Sequence, residues 1–161
     1  MMHHPYLNPL TPESMDHPEI RAPFGALVSQ TARRWRRAVD RRLQPFGLTE
    51  ATWLPLLRVA RAPAPMRQKH LAASLSLDSS SVVRLLDALQ AAGLVERREE
   101  EDRRAKTIVL TALGKKTVAR VEQVAREVRD EALADVADAD VAAANRVLEH
   151  VCRVLDDESG D

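Results

Sequence analysis

The side chains in this chain best suited to chemistry are hydroxyls and guanidiniums, and they sit in two clusters. One is Asp78-Ser79-Ser80-Ser81-Val82-Val83-Arg84, which opens a helix; the other is Asp102-Arg103-Arg104-Ala105-Lys106, between two apolar segments. A helix N-terminus presents unpaired amides and a partial positive charge that suit phosphate oxygens. Ser79, Ser80 and Ser81 add short donors that do not block close approach. Arg84, one turn on, can give two parallel hydrogen bonds to a guanine edge or a phosphate, and Val83 lies at the rim of the same face. Arg103 and Arg104 fall near a loop tip, where burial cannot account for them and entry into a narrow minor groove can. Asp102 cannot usefully face phosphate; its role is to hold a neighbouring arginine by a charge-assisted bond. With Lys106 beside them, these residues describe a duplex reader. Taken alone, the helix also fits a solvated amphipathic segment with an ordinary cap, and Glu99-Glu100-Glu101 reads as a solvated turn.

The elements that must position these groups follow from periodicity. Phe24, Leu27, Val28, Thr31, Trp35, Val39 and Leu43 recur at three- and four-residue steps, which predicts a first long helix over about 23–43. Thr49 reads as the cap of a second helix through Arg61, with Pro55 predicting a kink or a late start. Ala62-Pro63-Ala64-Pro65 reads as a linker, and 66–75 as a short third helix with Leu71, Ala72 and Leu75 inward. Asp78 caps a fourth helix whose inner side is Val82, Leu85, Leu86 and Leu89, and Gly93 ends it. Strands are expected near 94–98 and 107–110, on either side of the arginine loop. Thr111 then caps a fifth helix with Val118, Val121, Ala125, Val128 and Ala132 along one stripe. Asp138 caps a sixth, where Val141, Ala144, Leu148, Val151 and Leu155 form a narrow seam. The expected fold is mainly α with a small β-wing, a helix-turn-helix and hairpin framed by long N- and C-terminal helices.

The zero net charge conceals a division. Residues 20–116 hold 19 Lys/Arg against 9 Asp/Glu, whereas 117–161 hold 5 against 12. Segregation of this kind points to a polyanion partner for one region only. Hydrophobic residues make up 45% and aromatics 3%, a composition of Ala, Leu and Val that favours helices. No apolar run approaches the roughly 20 residues needed to cross a bilayer, and residues 1–19 lack a basic-then-apolar leader pattern. A lone cysteine, Cys152, excludes an internal disulfide and reads as a packed apolar thiol. The expected setting is the cytoplasm, with no membrane partner. The five histidines are scattered without metal-ligand spacing, so no metal or cofactor is expected.

Residues 67–114 resemble the winged helix-turn-helix core of the MarR family of bacterial transcription regulators. The most specific part is Asp102-Arg103-Arg104-Ala105-Lys106 followed by Leu110-Thr111 and Gly114, similar to the family's wing signature. Ser80, Val82, Arg84, Leu85, Leu86, Asp87 and Leu89, then Gly93-Leu94-Val95, resemble its recognition helix and exit. The sequence departs at Ser76, where glycine is common, and at Val83, where threonine is frequent. The resemblance implies a homodimer whose body is the first, fifth and sixth helices, with Ser79 to Arg84 in the major groove and Arg104 in the minor groove. It also implies an effector pocket between the dimer body and the winged core, for which Trp35, Arg37, Trp53, Arg58 and His70 are candidates suited to a small aromatic carboxylate or phenolic ligand.

The sixth helix independently calls for a second copy, since the small winged core offers little to cover its seam. Phe24, Val141, Leu148, Val151 and Leu155 are the expected interface residues. A two-fold reader predicts a palindromic operator with half-sites about one helical turn apart. The organisation expected is an N-terminal extended arm at 1–19, a dimerisation region at 20–47 and 111–157, a DNA-binding region at 48–110 and an acidic tail at 158–161. The leading reading is therefore a homodimeric regulator, a repressor released from double-stranded DNA by a small molecule. A ligand-independent architectural DNA binder and a protein-interaction module with a winged fold are the alternatives. An enzyme is disfavoured, because no glycine-rich phosphate loop, activated nucleophile or paired carboxylates are present.

Overall fold

The computed structural model describes residues 17–101 and 105–157. Seven helices and three strands follow in the order α1 (Pro18–Arg21), α2 (Phe24–Leu43), α3 (Glu50–Arg61), β1 (Met66–Arg67), α4 (Gln68–Ser74), α5 (Ser79–Ala91), β2 (Val95–Glu99), β3 (Lys106–Leu110), α6 (Ala112–Ala132) and α7 (Asp138–Asp157). A 3₁₀ turn at Gln44–Phe46 closes α2. The strands make one antiparallel sheet in the order β1-β3-β2, with Val95 opposite Leu110, Glu99 opposite Lys106 and Met66 opposite Ile108.

Several local expectations are revised. Pro18 and Glu19 belong to a helical turn, α1, rather than to an extended arm. Helix α3 starts at Glu50 and continues through Pro55, so the start is not late. Pro55 removes the N–H that would bond the Ala51 carbonyl; Ala51 is exposed, so water can serve that oxygen. Thr49 stands at the N-cap, but its hydroxyl makes no capping bond to the backbone and lies 3.5 Å from the Thr52 hydroxyl. Met66 and Arg67 pair as a strand with β3 instead of starting the third helix. In α6 the buried stripe is Val118, Val121, Val124 and Val128; Ala125 is half-buried and Ala132 exposed. Asp138 is the first residue of α7 rather than its cap.

Three segments leave their helices through the same device. After α4, the Leu77 amide bonds the Ala72 carbonyl at 2.9 Å and the Ser76 amide bonds Ala73 at 3.2 Å. After α5 the pairs are Leu94 to Leu89 at 3.0 Å and Gly93 to Gln90 at 2.9 Å, and after α2 they are Leu48 to Leu43 and Gly47 to Gln44. This arrangement needs a left-handed residue at its corner, which Gly93 and Gly47 supply at φ 72°. At the third corner Ser76 takes φ 53°. Ser76→Gly relieves that strain, and even after glycine's larger unfolded-state entropy it should stabilise the fold by about 0.5–1 kcal/mol. Thermal unfolding should register it as a rise of roughly 1–4 °C.

Buried side chains form two clusters. One, under the sheet, joins Leu56, Leu71, Val82, Leu86, Val95 and Ile108 with Val118. The other joins Val39 and Leu43 of α2, Trp53 and Leu57 of α3, and Val121, Val124 and Val128 of α6. Helices α3 and α6 contribute to both clusters, so they couple the winged lobe to the α2 end of the molecule. Helix α7 contributes to neither, and Val147, Leu148, Val154 and Leu155 on it are exposed. So are Ile20, Leu27 and Val28 near the start of the described chain.

Candidate nucleic-acid interface

Helix α5 is held by its first residues. The Asp78 carboxylate accepts the Ser81 backbone N–H at 2.7 Å and the Ser80 hydroxyl at 2.9 Å. These bonds, the Ser81 amide first, hold its carboxyl below the usual carboxylate range. Ser79, Ser80 and Arg84 are exposed, while Ser81 and Val83 are half-buried. The Ser80 proton is committed to Asp78, which leaves its oxygen to accept, so Ser79 and Arg84 are the freer donors on this face. Lys106 is exposed at the start of β3. Asp102, Arg103 and Arg104 lie outside the described residues.

Two ion pairs that sequence reasoning missed tie the hairpin to α5 and to β1. Arg97 of β2 bonds the Asp87 carboxylate of α5 and donates from Nε to Gln90 Oε1 at 2.9 Å. Arg67, beside β3, donates to Glu100 Oε2 at 2.7 Å. Glu100 is therefore half-buried and paired, not part of a solvated turn. The Glu100 amide also bonds the Ala105 carbonyl at 3.2 Å, extending the β2–β3 pairing toward the tip. Asp87 and Gln90 are one turn apart on α5, so a strand arginine reaching both fastens α5 to the hairpin. Their i,i+3 spacing was the available signal; the partner strand's register was not.

Thr111 fastens the far end of the hairpin. Its hydroxyl donates to the Gly93 carbonyl at 2.6 Å and accepts the Gly114 amide at 3.0 Å, and its own amide bonds the Leu94 carbonyl at 3.1 Å. Gly114 is buried against Leu94, and a Cβ there would overlap the Leu94 carbonyl oxygen.

A cavity of about 460 Å³ opens where α2, α3, β1, α4 and α6 meet. Of the five effector-pocket candidates, Trp35, Trp53 and Arg58 line it, and Arg37 and His70 do not. Arg37 follows Trp35 by two residues, about 200° around a helix, and faces a separate depression with Arg34 and Arg41. His70 is exposed on α4. Their places are taken by Arg36 and Arg61, both missed from sequence; Arg61 follows Arg58 at the i+3 spacing of a shared face. Trp53 is buried, donating from Nε1 to Asp40 Oδ1 at 3.2 Å, whereas Trp35 is half-buried. Cys152 is exposed in the single chain, contrary to the packed thiol expected. Among the described residues no cluster of three His, Cys, Asp or Glu side chains could hold a metal ion, and no helix is long and apolar enough to cross a membrane.

A sequence model of the MarR family matches residues 46–105, from the end of the 3₁₀ turn through β2 to the residue before β3. The crystal structure of transcriptional regulator PA3341 superposes at a TM-score of 0.77 with 40% identity, over 83% of this chain and 98% of that one. The chain belongs to the MarR family. Wild-type MarR from E. coli in its apo form matches at a TM-score of 0.68 and 26% identity, over 80% of this chain and 96% of that one. CouR from Rhodococcus jostii RHA1, solved with p-coumaroyl-CoA bound, matches at 0.67 and 25% identity, over 80% and 90%. The three-stranded antiparallel sheet and the helix-turn-helix of α4 and α5 are thus the winged-helix DNA-binding fold of a MarR-family transcriptional regulator.

Proposed function

We propose that this MarR-family protein is a homodimeric repressor in the bacterial cytoplasm, where it binds the nucleoid. It reads a palindromic operator through α5 and the hairpin and is released by a small aromatic or phenolic acid. The observation that carries the DNA reading is the Asp78-capped start of α5, with Ser79, Ser80 and Arg84 exposed beside a hairpin whose sequence supplies Arg103, Arg104 and Lys106. The excess of cations in 20–116 favours the same partner. Dimerisation is supported by the apolar seam of α7 and by Phe24, which shares a depression with Val147 and Val151. The effector reading is supported by the cavity's two tryptophans and its arginines, and by CouR, a relative solved with an aromatic acyl thioester.

Selection of bound genomic fragments tests the reading, followed by gel-shift titration. Arg84→Ala and Arg104→Ala should each weaken binding to the selected operator by about 1–3 kcal/mol while the fold is intact. Log affinity should fall against log salt with a slope of about −0.9 for each phosphate neutralised. Unchanged affinity in both variants, or a flat salt response, would remove the electrostatic case. Affinity without sequence preference and without response to aromatic acids would favour an architectural DNA binder instead.

A further inference from the structure

Three arginines face the cavity, and their states differ. Arg36 Nε lies 3.3 Å from Glu50 Oε1. Arg61 gives both Nε and Nη2 to the two oxygens of Glu122, each at 3.1 Å. Arg58, one turn before Arg61, has no side-chain partner among the described residues. Arg61 ends α3 immediately before the segment that leads to β1, and Glu122 lies on α6. Their pair therefore ties together the two helices that both buried clusters share.

We propose that Arg61 is the switch contact of the effector site: the acid group of a bound aromatic carboxylate, anchored first by Arg58, takes Arg61 from Glu122 and undoes the tie between α3 and α6. The inference rests on the effector reading above. The Nε and Nη2 edge of a guanidinium can hold one carboxylate in two-point geometry, so Glu122 and an incoming acid compete for it. Exchange is cheap because the pair is reachable: the Arg61 and Glu122 side chains are 56% and 32% exposed. Glu122 is not stranded when Arg61 leaves, since the Arg126 charge also acts on it. The Arg61 bonds hold its carboxyl below the ordinary range, consistent with a partner that stays ionised and ready to recapture the guanidinium. Trp35, Leu54 and Met66 supply the apolar wall for the ring, and Met66 lies in β1, so occupancy also presses on the sheet.

Titration of tryptophan fluorescence with cinnamate, and with uncharged cinnamamide, tests this in the full chain. Glu122→Gln leaves Arg61 available, so it should bind cinnamate about fivefold tighter than wild type and bind cinnamamide equally. Glu122→Asp, too short to hold both guanidinium nitrogens, should fall between them and serves if Glu122→Gln fails to fold. Without ligand, both variants should bind the selected operator more weakly than wild type. Wild type and Glu122 variants that bind cinnamate alike overturn the switch while leaving the pocket standing. No cinnamate binding by any of the proteins overturns the effector reading and the switch with it.

Discussion

In the proposed homodimer, Leu148→Glu should separate the two copies into folded monomers that no longer hold the operator. Leu148 is 41% exposed in the single chain and lies in the seam with Val141, Ala144, Val151 and Leu155 on α7. The chain's own core loses nothing, because α7 contributes to neither buried cluster. In a two-fold interface, however, every substitution occurs twice. Each copy would forfeit burial of the exposed part of a leucine, about 0.6–1.2 kcal/mol, and place a carboxylate against apolar surface at about 2 kcal/mol or more. The combined loss of roughly 5 kcal/mol or more corresponds to at least a thousandfold rise in the dimer dissociation constant. Sedimentation equilibrium at micromolar protein should find monomer with unchanged helix content, and gel shift should find the operator unbound. A Leu148→Glu protein that stays dimeric would show that α7 is not the pairing surface.

Gly114→Ala should be the most damaging small substitution in the winged lobe. The added methyl would overlap the Leu94 carbonyl oxygen and approach the Leu94 carbonyl carbon to 3.1 Å, and backbone atoms cannot swing aside. Helix α6 would have to lift, breaking the Thr111 amide bond to Leu94 and the Thr111 hydroxyl bond to Gly93. A cost of about 3 kcal/mol follows from overpacking together with a lost bond, equivalent to roughly 6–12 °C in thermal midpoint. Because the contact joins the exit of α5 to the start of α6, operator affinity measured below the melt should fall too. Thermal unfolding that matches wild type would mean that α6 is not held against Leu94 in solution.

Glycine at 114 is legible in the sequence as the residue that follows Leu110-Thr111 in the family signature, but the reason for it is not. The Leu94 carbonyl that excludes a Cβ there is 20 residues away along the chain. The same holds at Ser76: its departure from the usual glycine is visible in the sequence, while its positive φ is a property of the folded turn. Arg36 carries no signal of its own and Arg61 only its i+3 spacing from Arg58, because the cavity they line is made by helices distant along the chain. Arg37 is close to Trp35 in sequence, but helical angle rather than proximity decides which side chains share a face. Strand β1 is two residues long and offers no periodicity; only its partner in β3 makes it a strand.

Helix order, the Asp78 and Thr111 caps, the hairpin and the apolar stripes were set by local sequence, because caps, turns and 3.6-residue periodicity are short-range effects carried by neighbouring residues. Tertiary structure alone decided which arginines meet carboxylates: Arg97 with Asp87, Arg67 with Glu100, and Arg61 with Glu122, which lie 10, 33 and 61 residues apart. Charge carries no direction along a chain. A guanidinium finds its partner only after the apolar cores have fixed which helices lie side by side.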